Sequence, residues 1–474
     1  MAVRRRLYSR PVNQQERPFV SDGASDGTLV PLNRSEHMYW AGEGYLGPIN
    51  MPFMLRFDRP VDEALLRQAL RELTTAFPRL RGVVVPTAFT YKLRILPDDL
   101  WLDQLFNDAY RVQQGIDASS RPALEAFHSA FINEPISLER GLPWRARFIP
   151  HEQNPLLVFS VHHLIGDGRS IVQVLTALMG RLSGKAIAPF PIESSSMKAA
   201  VTPLKWTQWP ASIAGWWRNS KRDAQSTAGQ KIITLASRRS ERYTTTGVRY
   251  HELPCTSDQL RLVAKQTGTT VNNLVVALLA NAFLTLEPHN PQAVAALRIS
   301  VDLRRYFPAG QQPEFGNFVS SFTVRAKHQP TLTAQVESIE AQVKDHLSRY
   351  ERREYALPLT AYELLPLMGR TLYSHFILKS KAKGTLPVLS CHFTNLGNVE
   401  AIHPPDAQVR LTEVWPATLS TALLVALVNL GGKLFITVAF QEDETDETAV
   451  RTLFQTLDGQ LQALAQGPSP SPAP

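Results

Sequence analysis

The clearest pattern in the chain is a change of period across residues 156–182. Leu156 to Val161 is an apolar run of strand length, and Ile171, Val174, Leu175, Leu178 and Leu182 recur at helical spacing. Between them lies a turn holding Gly166, Asp167 and Gly168, so the segment reads strand, tight turn, helix. Upstream, Phe53 to Phe57 alternates as a strand, and Leu65, Leu66, Ala69, Leu70 and Leu73 form the apolar stripe of a helix whose first turn carries Asp62 and Glu63. Pro78 stops that helix. A second helix is predicted over Arg121 to Phe131, and strands over Leu142 to Ile149 and Leu156 to Val161, joined by a polar turn at residues 151–154.

The second half repeats the mixture without repeating the sequence. A helix runs from Ser257, taken as its N-cap, to Thr267, and Val271 to Leu286 reads as a buried helix. Strands are predicted at Ala295 to Val301, Val319 to Val324 and Leu389 to Phe393, the last followed by a turn over Thr394 to Asn398. The apolar run Leu419 to Phe440 is interrupted by Gly431-Gly432-Lys433 and reads as a hairpin. Leu332 to Arg349 and Thr445 to Leu464 are the remaining helices, with Thr445 as the expected N-cap of the last.

This alternation predicts a mixed α/β fold, and 474 residues exceed what one core ordinarily serves, so two lobes are expected. The expected divisions are a basic, disordered arm over 1–28, an N-terminal lobe over 29–184, a linker over 185–247 rich in Pro, Ser, Thr and basic residues, a C-terminal lobe over 248–466, and a Pro/Ser tail over 467–474. Within the linker, Trp206, Trp209, Trp216 and Trp217 stand among Lys205, Arg218, Lys221 and Arg222. Such a segment either packs on its own lobe or makes peripheral contact with a membrane.

Composition narrows the function classes. A hydrophobic content of 44% with 19% charged residues describes a soluble globular chain. The net charge of +8 favours anionic partners such as phosphates, anionic lipid or an acidic carrier protein. The basic residues are scattered and no zinc-knuckle or RNP-like spacing occurs, so nucleic acid is not an expected partner. Lys379, Lys381 and Lys383 are either a phosphate-facing patch or a solvated run. Two cysteines, Cys255 and Cys391, make no disulfide framework and suit a reducing cytoplasm. Arg4 to Arg6 are not followed by an apolar segment, so no signal peptide is expected.

The chemistry is concentrated at His162 and His163, where the apolar strand ends. Neighbouring strand residues face opposite ways, so one imidazole looks into a cavity and the other into the protein body. An imidazole can take and return a proton near neutral pH, which suits the cavity-facing one to general base work. Two packing histidines would show the same dipeptide. A metal site from His163 and Asp167 needs a helix between them, which Gly166 and Gly168 oppose, so no metal is expected.

His162-His163-Leu164-Ile165-Gly166-Asp167-Gly168 matches the HHxxxDG signature, and the chain resembles the chloramphenicol acetyltransferase-like superfamily, from about Pro31 to Gly467. That group includes condensation domains, polyketide-associated acyltransferases, alcohol acyltransferases and wax ester synthases. Phe77-Pro78-Arg79-Leu80-Arg81, Pro143 to Arg147, Val301-Asp302-Leu303-Arg304, Phe315 to Phe318 and Thr394 to Gly397 fall in the family's order. The resemblance implies two lobes meeting in a V around a tunnel, with a thioester entering one face and the acceptor the other. It implies an acyltransferase of stand-alone type, taking its acyl group from coenzyme A or from a separate acyl carrier protein, with no resident cofactor. The acceptor is a small molecule or a lipid, and a monomer is expected. His163 is the implied base and the backbone at Gly168 the implied oxyanion donor. His162, Asp167 and Arg304 are structural, with Asp167 paired to Arg304, and Asn317 and Asn395 are expected to line the tunnel. Phe315 to Phe318 is not the DFGWG motif of plant BAHD acyltransferases. Asn272-Asn273 partly resembles the ND motif of wax ester synthases, which keeps a lipid-synthesising alternative. A non-catalytic carrier- or lipid-binding protein is the alternative of another class.

Overall fold

Leu156–His162 is buried at every position, which explains why it reads as a continuous apolar run: both of its faces are covered. In this computed structural model the described residues are 27–87, 90–192, 204–226, 228–363 and 369–465. Nearly all of the expected arm, the Pro/Ser tail and residues 193–203 of the expected linker lie outside them.

In chain order, the first half contains β1 (Leu29–Pro31), α1 (Arg34–Leu46), β2 (Asn50–Phe57), α2 (Glu63–Ala76), β3 (Gly82–Pro86), β4 (Tyr91–Ile95), α3 (Leu100–Ala109), β5 (Tyr110–Val112), α4 (Arg121–Ile132), β6 (Trp144–Ile149), β7 (Leu156–His162) and α5 (Gly168–Leu182). The second contains α6 (Trp209–Gln225), β8 (Lys231–Ile232), β9 (Thr246–Glu252), α7 (Ser257–Gln266), α8 (Val271–Leu284), β10 (Ala293–Asp302), β11 (Val319–Ala326), α9 (Leu332–Glu351), α10 (Ala356–Glu363), α11 (Gly369–Ala382), β12 (Cys391–Asn398), β13 (Leu411–Pro416), β14 (Leu424–Leu430), β15 (Lys433–Gln441) and α12 (Glu447–Ala465).

The fold is mixed α/β with two principal sheets. One is five-stranded in the order β13-β2-β7-β6-β5, and the other seven-stranded along β11-β10-β12-β14-β15-β9 with β8 beside β10. A small sheet, β1-β4-β3, flanks the first. Each principal sheet has its own apolar core. The first includes Phe53, Phe57, Trp144, Phe159 and Leu175, and the second includes Leu278, Phe283, Leu297, Phe393 and Ile436. The second is built on α8, whose near-complete burial matches the apolar run read there.

The division between lobes is less sequential than expected. β13, from the second half, pairs antiparallel with β2 and forms an edge of the first sheet, so the boundary at 248 is crossed. Tyr250, Trp415 and Phe435 join the first core for the same reason. In the expected linker, β8 pairs with β10 and α6 packs on α10. Trp209 rests against the second core, whereas Trp206 and Trp217 are exposed. No single described helix is long and apolar enough to cross a membrane.

Three local expectations shift by physical detail. Thr256, not Ser257, caps α7 through its side chain, with Gln259 completing a capping box. Asp446, not Thr445, caps α12 by accepting from Thr448 N–H at 2.7 Å. Thr394 to Asn398 is no turn: β12 continues through it beside β14, absorbing one residue in a bulge between Asn395 and Gly397. The hairpin at Gly431-Gly432 is as read, with both glycines at positive φ (58° and 78°) between β14 and β15.

Candidate active site

β7 ends at His162, and the turn that follows is held from four directions before α5 begins. His163 N–H donates to Ile49 O at 2.9 Å, and Ile165 N–H to His162 O at 3.0 Å. Arg79, buried in an ion pair with Glu36, donates from Nε to Ile165 O at 3.0 Å. Asp167 caps α5 by accepting from Ser170 N–H at 3.0 Å. Gly168 sits at the first helical position, where a Cβ would lie 2.5 Å from Leu396 Cδ2 and push on the tip of that side chain across the lobes.

The two histidines part company as strand geometry dictates. His162 is fully buried, receives Leu164 N–H on Nδ1 at 3.1 Å, and places Nε2 3.1 Å from Glu43 Oε1. His163 borders a cavity of about 300 Å³ between the sheets, lined also by Tyr39, Gly168, Ser300, His392 and Asn395. The Tyr39 ring lies flat on His163, centroids 4.1 Å apart. Burial lowers the pKa of His163 to about 4, against smaller opposing contributions from the carbonyls of His163 and Gly166 and from the Asp167 charge. The imidazole is therefore neutral at pH 7, the state a base requires.

Asp167 does not reach toward His163. Its carboxylate receives Arg304 Nη1–H at 2.7 Å, Phe318 N–H at 3.0 Å and the Ser170 hydroxyl at 3.1 Å, which occupies both oxygens. Burial alone would raise its pKa, but the Arg304 charge and these hydrogen bonds outweigh that and hold it below the ordinary carboxylate value. Arg304 is equally committed, donating also to Pro313 O, Gly316 O and Ser170 Oγ. Among the described residues, no group of three or more His, Cys, Asp or Glu side chains is arranged to hold a metal ion.

Asn395 borders the cavity, its amide 3.4 Å from Asn272 Oδ1. Asn317 does not. It is fully buried behind the histidine, with Nδ2 3.0 Å from His163 Nδ1 and also donating to His163 O, because Gly316 turns the chain at φ 135° and carries Asn317 inward. Sequence reading missed His392 and Ser300, which face the cavity from β12 and β10 with Ser300 Oγ 3.0 Å from His392 Nε2. Burial, then the charges of Arg298 and His163, lower the His392 pKa to about 3. The signal was present only as a histidine in an alternating strand; the parallel register that sets it beside Ser300 is not local information.

Residues 47–196, which contain the whole His162–Gly168 turn, match the family described as Condensation domain. Polyketide synthase PksN of Bacillus subtilis (strain 168) is 26% identical over 151 residues, 31% of this chain and only 3% of that much longer protein. The first condensation domain of the CDA synthetase superposes with a TM-score of 0.65 at 16% identity, covering 94% of this chain and 98% of its own. TRI3 trichothecene 15-O-acetyltransferase from Fusarium sporotrichioides gives 0.66 at 12% identity, covering 94% and 97%. The resemblance to the chloramphenicol acetyltransferase-like superfamily thus stands by motif over residues 47–196 and by fold along nearly the whole chain.

Proposed function

We propose that this chain, which has the condensation-domain fold and an intact HHxxxDG turn, transfers an acyl group from a thioester to a hydroxyl or amine, with His163 as general base. The observation that carries the reading is a neutral His163 at the cavity wall, with the Tyr39 ring flat against it and Asn317 behind it. Base action by Nε2 puts the ring proton on Nδ1, which requires Asn317 to turn its amide oxygen rather than Nδ2 toward that nitrogen.

In the proposed reaction, the acceptor's O–H or N–H gives its proton to Nε2 as the nucleophile attacks the thioester carbonyl. The developing oxyanion is met by the first-turn N–H groups of α5 at Gly168, where the helix dipole favours negative charge. Collapse breaks the C–S bond, and His163 returns the proton to the departing thiolate, so acyl ester or amide and free thiol leave together. Asp167 and Arg304 hold the turn and join the lobes without taking part in proton transfer. Coenzyme A and a phosphopantetheinyl carrier protein both present the required thioester.

The test is thiol release from acyl-CoAs of graded chain length with a panel of alcohols and amines, comparing wild type with His163→Ala. Acceptor-dependent release is expected only from wild type. Equal rates in the two proteins would remove His163 from the chemistry, and binding of thioester without any transfer would favour a non-catalytic carrier- or lipid-binding role.

A further inference from the structure

α6 is packed with its polar side inward. Its buried positions are Ser212, Gly215 and Asn219, and Asp223 continues the same line one turn on. Ser212 Oγ donates to Arg353 O at 2.6 Å, Asn219 Nδ2 donates to Glu354 Oε2 at 2.6 Å, and Asp223 accepts from Arg349 Nη1 at 2.7 Å. At Gly215 a Cβ would lie 2.7 Å from the Glu354 carboxylate. Polar bonds to the end of α9 and the turn before α10 therefore fix the rotation of this helix. A helix on the surface of a globular lobe ordinarily turns its apolar stripe to the core. This one is turned the other way.

That rotation sends tryptophan outward. Pro210, Ala214, Trp217 and Lys221 recur at helical spacing on the opposite side, and all four are exposed. Trp217 is 65% exposed, and Trp206, in the 3-10 turn Trp206–Gln208 that leads into α6, is 83% exposed. Leu204 and Trp209 on either side of that turn rest against the second core, so Trp206 stands out from an anchored segment. Between the two exposed rings, Pro210, Ala211 and Ala214 face out and are too small to shape a pocket. Cations flank the same face. Lys205, Arg218 and Lys221 are exposed, and among the described residues none of them is in ion-pair reach of a carboxylate, whereas Arg222 and Asp223 are taken up by Asp345 and Arg349.

We propose that the outward face of α6 and its leading turn lies on the surface of an anionic lipid bilayer, with Trp206 and Trp217 at headgroup level and Lys205, Arg218 and Lys221 beside anionic headgroups. An indole ring is apolar with a single polar N–H and suits that boundary, and unpaired cations next to it add attraction to negative lipid. A helix face without a pocket fits a fluid surface, whereas a second copy related by a two-fold axis sets the same unpaired cations against one another. The helix lies along the surface and does not enter it, in keeping with the finding that no single described helix is long and apolar enough to cross a membrane. Such contact is independent of the acyl-transfer chemistry.

The experiment measures binding of the full chain to two kinds of vesicle, phosphatidylcholine alone and an equimolar mixture of phosphatidylcholine with phosphatidylglycerol, by co-sedimentation and by the shift of tryptophan fluorescence. Wild type is expected to bind the anionic vesicles about tenfold or more tighter than the neutral ones, with affinity falling as salt rises. Replacing both exposed rings, Trp206→Ser with Trp217→Ser, is expected to weaken binding by about tenfold or more and to remove the fluorescence shift. Lys221→Gln alone is expected to cost about fivefold, the scale of one cation at an anionic surface. Circular dichroism and the thermal midpoint check that the variants fold, which substitution at exposed positions should leave intact. Binding that survives loss of both tryptophans, equal binding to the two kinds of vesicle, or no binding to either would overturn the proposal. A lipid-free dimer that the double variant dissociates would assign the face to a second copy instead. Capture of an acidic acyl carrier protein through these residues, without vesicle binding, would assign it to a protein partner.

Discussion

Arg304 reaches from the end of β10 to close on Asp167 at the start of α5, Nη1 2.7 Å from Oδ2 and Nη2 3.2 Å from Oδ1, with both side chains almost wholly buried. The pair spans the two lobes, so removing one partner leaves an uncompensated charge at their junction. Asp167→Ala is expected to lower unfolding stability by about 3–5 kcal/mol, with activity falling in proportion to the folded fraction. Urea denaturation with parallel rate measurement checks this. A fully stable Asp167→Ala protein that binds donor but does no chemistry would give the carboxylate a catalytic role instead.

Gly168 and Leu396 form a second cross-lobe fit. Adding a methyl at Gly168 places it 2.5 Å from Leu396 Cδ2, and the leucine or the helix start must move. Gly168→Ala is expected to cut kcat by about tenfold or more, through misplacement of the N–H groups beside the reacting carbonyl. Leu396→Ala in the same chain opens the space and is expected to restore most of the loss. Failure of that second change to help would show that the glycine matters for something other than this contact.

The low pKa of His163, about 4, sets the acid side of the rate profile. Below that value the ring is protonated and cannot accept; above it the base is present. The kcat/KM profile is therefore expected to be flat from about pH 5.5 to 7.5, without the fall near 6.5 that an exposed histidine gives. A midpoint between about 6 and 7 would show that the ring titrates as if solvated.

Stability should respond to pH in the same direction. Burial lowers His37 and His163 to about 4 and His128 and His392 to about 3, all from 6.5. Since the folded values are depressed, their contribution is complete above pH 6.5 and is lost as pH falls toward 4, where the unfolded chain binds protons that the fold refuses. Each such histidine gives at most about 1.4 kcal/mol per pH unit in that window. Denaturation midpoints measured from neutral to mildly acidic pH should fall steadily, and a flat series would contradict the burial of these rings.

Much of this was legible because local pattern and global fold agree. The β7–turn–α5 segment declares itself through its change of period, and its two histidines separate by the geometry of any strand. What escaped reading depends on register and on which way a turn throws a side chain. Asn317 is an ordinary polar residue after glycine in the sequence, and only the φ of Gly316 sends it behind His163 rather than onto the wall. His392 gains its place from parallel pairing with β10, more than 90 residues earlier in the chain. β13 has no counterpart among the strands predicted from the sequence, and nothing in its six residues announces that it joins the first sheet.

That crossing governs how the cleft can move. Because β13 is hydrogen-bonded into the first sheet while β12 and β14 on either side belong to the second, the chain is stitched through both halves of the molecule. The halves cannot swing apart like covers on a spine without pulling out that stitch. Widening of the channel must come from flexing of the two short stretches that enter and leave β13, residues 399–410 and 417–423, and a cut in either would free a jaw that the intact chain keeps tied.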